Sequence, residues 1–116
     1  MVIRIKDLRL RTTIGIHDWE REHQQDVVIN AGIVFDGRAA AHSDEIADTV
    51  DYKAITKAMI AQVERSSWKL LEKLATRLLE TVLADPKVES AWIEVDKPHA
   101  LRFADSVSVR VDGVQA

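Results

Sequence analysis

Val95-Asp96-Lys97-Pro98-His99-Ala100-Leu101-Arg102-Phe103-Ala104-Asp105-Ser106-Val107-Ser108-Val109 joins two runs of alternating character. Upstream, Ala91, Ile93 and Val95 alternate with Trp92, Glu94 and Asp96; downstream, Val107, Val109 and Val111 alternate with Ser106, Ser108 and Arg110. A period of two puts the apolar side chains on one face, so each run reads as a half-buried strand. The Lys97-Pro98 step stops the first strand, because proline has no N–H for the ladder. A lysine fixed at a strand end can aim an ammonium group into a site. Taken alone, it reads first as a solvated lysine in a hairpin loop, and the rest of the chain shifts that reading.

The N-terminal third repeats the pattern. Ile3 and Ile5 share one parity, whereas Leu8, Leu10, Thr12 and Ile14 share the other, so residues 2–14 read as one strand with a bulge near Asp7. Gly15 to Gln25 is polar and reads as a loop. Residues 26–36 alternate again, but Val28, Gly32 and Val34 make the second face only weakly polar, so both faces of this strand are expected to be covered. After Gly37, residues 38–50 suggest a short helical turn and a connector. Asp51 is placed to cap a helix from Tyr52 to Arg65. Ser66-Ser67 is expected to break that helix and start another, whose apolar face is Leu70, Leu71, Leu74, Ala75, Leu78, Leu79 and Val82, closed by Asp85-Pro86.

The expected order is therefore β-β-α-α-β-β: an α+β fold with a four-stranded, mostly antiparallel sheet and both helices on one face. The uncovered strand edge and the second sheet face predict that subunits assemble.

At 116 residues the chain is read as a single domain, 1–116, able to bury a core without staples. A net charge of −3 argues against nucleic acid or an anionic membrane as partner. The absence of cysteine removes disulfides, thiolate nucleophiles and Cys-based zinc sites. No apolar run reaches the length of a membrane span, and Met1-Val2-Ile3-Arg4-Ile5-Lys6 has no signal-peptide architecture, so a cytoplasmic location is expected.

His17, His23, His42 and His99 form no HxH or HExxH pair, so no metal site is expected. What remains is acid, base and phenol chemistry from Glu20, Glu22, Tyr52, Glu72 and Lys97. Glu72 interrupts an apolar helical run. It could be an exposed carboxylate paired with Lys69 or Lys73. Alternatively, it could accept two parallel donors from a guanidinium or an amino-pyrimidinone edge.

Four fragments in order carry a resemblance: Thr12-Thr13-Ile14-Gly15-Ile16-His17-Asp18-Trp19-Glu20, Asp48-Thr49-Val50-Asp51-Tyr52, Leu70-Leu71-Glu72-Lys73-Leu74, and Lys97-Pro98-His99-Ala100-Leu101-Arg102-Phe103-Ala104-Asp105-Ser106-Val107. Together they resemble the dihydroneopterin aldolases and dihydroneopterin triphosphate epimerases, small enzymes of the tunnelling (T-) fold. The resemblance implies a lyase that needs no cofactor and no metal, acting on a small pterin. It further implies assembly into tetrameric or octameric homo-oligomeric barrels with active sites at subunit interfaces. It implies Glu72 as the pterin anchor, Val50 and Leu71 as the pocket rim through their backbones, and Tyr52 against the ring from a neighbouring subunit. Gln25 is a weaker match to a glutamine after the first loop. Lys97, Tyr52 and Glu20 would manage protons.

The loop Asp18-Trp19-Glu20 is similar to the aldolase branch; the segment from Lys97 to Asp105 is closer to the epimerase branch. Aldolase is taken as the main activity, with C2′ epimerisation as a competing one and epimerase as the alternative. His99 and Arg102 could hold a triphosphate, although Arg102 could instead pair with Asp105 or Glu94. A pterin-binding ring protein without turnover is a third reading, and a purine-type ligand would also suit Glu72.

Overall fold

The computed structural model describes residues 1–116. Four long strands form the sheet: β1 (Val2–Ile14), β2 (Gln25–Phe35), β4 (Val88–Pro98) and β5 (Ser106–Val114). A two-residue strand, β3 (Ser67–Trp68), adds to the outer edge of β1, giving the order β3-β1-β2-β4-β5. The long pairings are antiparallel, and the β3 pairing is parallel. The expected four-stranded sheet is thus corrected to five strands. The Ser66-Ser67 region also does not start a helix. Ser66 is extended, Ser67 and Trp68 pair with Thr13 and Ile14, and helix α4 begins only at Leu71.

The bulge in β1 falls where the apolar phase switches. The register shifts between Ile5 and Leu8, and Asp7 takes a left-handed φ of 53° while its N–H bonds Asn30 Oδ1 at 2.9 Å. Two short helices, α1 (Asp18–Glu22) and α2 (Arg38–Ser43), and a 3₁₀ turn at Ile46–Asp48 fill the connections.

Helix α3 (Tyr52–Arg65) starts where the Asp51 carboxylate accepts the Ala54 N–H at 3.1 Å. It buries Ile55, Met59 and Val63. Helix α4 (Leu71–Leu83) buries Leu74, Ala75, Leu78, Leu79 and Val82. Both stripes meet Val27, Ile29, Ala31 and Ile33 of β2 and Ala91, Ile93 and Val95 of β4 in one cluster of 20 buried residues. Each fully buried aliphatic side chain contributes roughly 1.5–3 kcal/mol, so this single helix-against-sheet layer holds the fold.

On the opposite sheet face, Trp92 covers Gly32, with the guanidinium of Arg110 4.4 Å from its ring centroid and that of Arg4 at 5.8 Å. A Cβ on Gly32 would overlap the indole, which is why a glycine faces it. No helix is long and apolar enough to cross a membrane.

The molecule is elongated, 52 × 28 × 24 Å. One end carries the end of β1, the start of β2, the β4–β5 hairpin and the start of α4. The other carries Met1, the start of β4 and the start of α3. The two ends of α3 are fixed by different contacts. Lys87, just before β4, reaches the Thr49 carbonyl at 3.2 Å, whereas the buried Thr12 hydroxyl donates to Val63 O at 2.8 Å near the helix C-terminus.

Candidate active site

Strand β4 continues its inward parity from Ala91, Ile93 and Val95 to Lys97, which places the lysine at the rim of the core instead of in solvent. Across the sheet end, β1 stops at Ile14 and turns through Gly15, whose φ of 135° is open to glycine. The chain then forms α1, and its Glu20 folds back over Gly15, where any Cβ would overlap the carboxylate. Lys97 Nζ and Glu20 Oε2 meet at 2.5 Å, with the two side chains only 13% and 6% exposed. Gln25 Nε2 donates to the same Oε2 at 3.1 Å and to Ile14 O at 2.8 Å, while the His17 N–H donates to Oε1 at 3.3 Å.

These contacts set the charge state. Burial pushes the Glu20 carboxyl up. The hydrogen bonds from Lys97, Gln25 and the His17 N–H, with the charge of Lys97, outweigh it and hold the pKa at about 2. Glu20 is therefore an anion at neutral pH with both oxygens engaged. Lys97 makes no other hydrogen bond, so two of the three ammonium donors are free to meet a ligand or water.

Arg21, next to Glu20, ties this loop to β3. Its guanidinium donates to Gly15 O at 3.1 Å, Trp68 O at 2.6 Å and Ser67 Oγ at 3.1 Å, and the Gly15 N–H donates to Trp68 O at 3.0 Å. Since β3 leads directly into α4, the clasp fixes Leu71 and Glu72 relative to the Glu20–Lys97 pair. Leu70 caps α4 without a side-chain hydrogen bond, leaving the first-turn N–H groups for a ligand or water. Glu72 is exposed in that first turn and pairs with neither Lys69 nor Lys73.

The structure thus gathers Glu20, Gln25 and Lys97 in contact, with Leu71 and Glu72 at the same end. It does not bring Val50 and Tyr52 to them. Both lie at the start of α3, at the opposite end of the chain. Tyr52 is 50% exposed. Val50 is fully buried, yet none of the backbone hydrogen bonds outside the helices and strands involves it.

At the hairpin tip, His99 and Phe103 take left-handed φ values of 64° and 68°. The expected ion pairs of Arg102 with Asp105 or Glu94 do not form; its guanidinium lies 5.4 Å from the ring centroid of the fully exposed Phe103. No three His, Cys, Asp or Glu side chains gather in a way that could hold a metal. Gly15 and Arg21 are the site residues that sequence reasoning missed. A lone glycine closing a long strand was the available signal for the first, and nothing marked the second.

Comparison with known proteins gives a consistent result. The family model described as dihydroneopterin aldolase (FolB) matches residues 3–112. The dihydroneopterin triphosphate 2′-epimerase of Pseudomonas aeruginosa is 47% identical over 111 residues, covering 96% of this chain and 90% of that one. The dihydroneopterin aldolase of Escherichia coli K12 is 33% identical over 113 residues, covering 96% and 91%. The crystal structure of E. coli dihydroneopterin aldolase in complex with neopterin superposes with a TM-score of 0.93 at 32% identity, covering 97% of this chain and 98% of that one.

Proposed function

The chain belongs to the dihydroneopterin aldolase family, and on that premise we propose that it cleaves 7,8-dihydroneopterin by a retro-aldol reaction to 6-hydroxymethyl-7,8-dihydropterin and glycolaldehyde. The observation that carries this reading is the buried Glu20–Lys97 pair at the end of the sheet that also presents Glu72.

The chemistry needs little beyond proton handling. Removing the 2′-hydroxyl proton lets the C1′–C2′ bond break, and C2′ leaves as the aldehyde carbon. The bonding pair moves through C1′ and C6 to N5, which is protonated to give an enamine. Protonation at C1′ and loss of the N5 proton restore the C6=N5 imine. The substrate is its own electron sink, and no step calls on a metal. Lys97 exchanges the protons. The firmly anionic Glu20 orients it, Gln25 supports Glu20, and Tyr52 serves the C1′ protonation. Glu72 accepts the 2-amino and N3–H donors of the ring, with the Leu71 and Val50 backbones at the rim.

The separation of Val50 and Tyr52 from Lys97 within one chain supports sites shared between subunits. The outer edge of β1 is paired only at Thr13 and Ile14, and that of β5 is unpaired, so both offer ladder groups to neighbouring copies. The assembly is a closed homo-oligomer, a tetramer or a stacked octamer, working in the cytoplasm.

A second reading is favoured by the greater identity to the triphosphate epimerases, 47% against 33%. If the aldehyde stays bound, turns its other face and re-adds, the same cleavage yields inversion at C2′. Incubation with 7,8-dihydroneopterin and with its triphosphate tests both: glycolaldehyde release marks the lyase, and inversion without release marks the epimerase. Pterin binding without either product would leave a non-catalytic ring protein.

A further inference from the structure

A groove of about 710 Å³ runs between the C-terminal end of α3 and the N-terminal end of α4. Its lining carries Arg21, Lys69, Lys73 and Arg77, with the hydroxyls of Ser66 and Ser67 and no carboxylate, in a chain whose net charge is −3. Only Arg77 has an ion pair, with Glu80 at 3.1 Å. Arg21 is anchored to the carbonyls of Gly15 and Trp68 and to the Ser67 hydroxyl, which fixes its guanidinium without neutralising it. Lys69 and Lys73 form no ion pair.

The backbone adds to the same field. The uncapped start of α4 contributes positive potential. Near the end of α3, Val63 O accepts from Trp68 Nε1, and the Thr12 hydroxyl is shared between Val63 O and the cap carbonyl Ser66 O. Lys73 and Arg77 stand four residues apart on α4, with Cβ atoms about 5–6 Å from each other, and Lys69 and Arg21 line the same groove. A single carboxylate or phosphate therefore satisfies one of them and leaves the rest repelling each other, whereas linked phosphates answer each in turn.

We infer that this groove is an oligophosphate site. Two of its lining residues adjoin residues of the proposed pterin pocket along the chain, Arg21 next to Glu20 and Leu70 just ahead of Leu71 and Glu72. The triphosphate tail of a pterin substrate is one source of the ligand, and that assignment rests on the function proposed above. A free oligophosphate, such as that of a nucleotide, is the other.

The test is calorimetric titration of the full-length protein with inorganic tripolyphosphate, repeated on the Lys69→Ala/Lys73→Ala double variant. Both lysines are exposed, so the variant is expected to fold. The wild-type protein binds in a salt-sensitive manner, and the variant loses roughly tenfold to a hundredfold in affinity. No binding by the wild type, or equal binding by the variant, overturns the site. Kinetics then separate the sources. A raised KM for dihydroneopterin triphosphate with that for dihydroneopterin unchanged assigns the substrate tail; unchanged KM for both, with tripolyphosphate affinity lost, assigns a free oligophosphate. Wild-type protein that turns over neither pterin removes the lyase and epimerase readings and leaves the calorimetry to decide the groove.

Discussion

Gly15 and Glu20 share one space: the carboxylate of Glu20 lies where the Cβ of any other residue at position 15 would have to be. The buried acid of the site thus depends on a missing side chain in the turn that precedes it. Gly15→Ala meets this overlap and the φ of 135° together. The expected cost is roughly 1–3 kcal/mol of stability and about a hundredfold in kcat/KM from a displaced Glu20. Chemical denaturation and steady-state kinetics measure the two. A Gly15→Ala protein with wild-type turnover would separate Glu20 from the reaction.

The Glu20–Lys97 pair is predicted to serve stability and chemistry in separable ways. Lys97→Met leaves an enclosed carboxylate without its cation, which costs up to about 3 kcal/mol, and it lowers kcat by at least about a hundredfold. The Glu20→Gln/Lys97→Met double variant removes the uncompensated charge, so its stability returns toward the wild type while activity stays lost. Recovery of both, or of neither, in the double-mutant cycle would contradict this division.

Acid stability follows from the same carboxylate. Its pKa is held at about 2, below the ordinary 4.5, so its stabilising contribution is complete above pH 4.5 and is lost as pH falls from there toward 2. Urea midpoints recorded across that window should fall more steeply for the wild type than for Glu20→Gln. Asp36, whose carboxyl is held low by hydrogen bonds from the Arg38 side chain and N–H, titrates in both proteins and cancels from the difference. Parallel acid limbs would mean that Glu20 is not held down in solution.

The separation of Tyr52 from Glu72 predicts complementation. Glu72→Gln and Tyr52→Phe proteins are each expected to lose about a hundredfold in kcat/KM. Mixed by joint refolding, they should recover activity at about a quarter of their sites if chains pair at random around a ring. Measured activity equal to the sum of the two separate proteins would place every site within one chain.

The long-range order of the fold was legible because the strands are long enough to show a phase. In β1, even the switch from Ile3 and Ile5 to Leu8 and Leu10 located the bulge. Strand β3 was not legible, since Ser67 and Trp68 are too few residues to carry a period. The five-residue α1 was hidden for the same reason in a polar loop, and with it the turn that buries Glu20. In the candidate site, Lys97 and Glu20 were nameable from their chemistry and their likeness to a family, and Gln25 from the likeness alone. Gly15 and Arg21 act by what they leave empty and by which distant carbonyls they join, and residue type announces neither.

Val50 and Tyr52 lie at one end of a 52 Å body, and Glu72 and Lys97 at the other; under the proposed function these are the two unlike halves of a pocket shared between copies. If copies met head to tail so as to join those halves, an open arc of n copies would complete n − 1 pockets, and only closure would complete the last. Substrate that bridges two copies then holds them together, so the pterin would favour the closed ring by mass action.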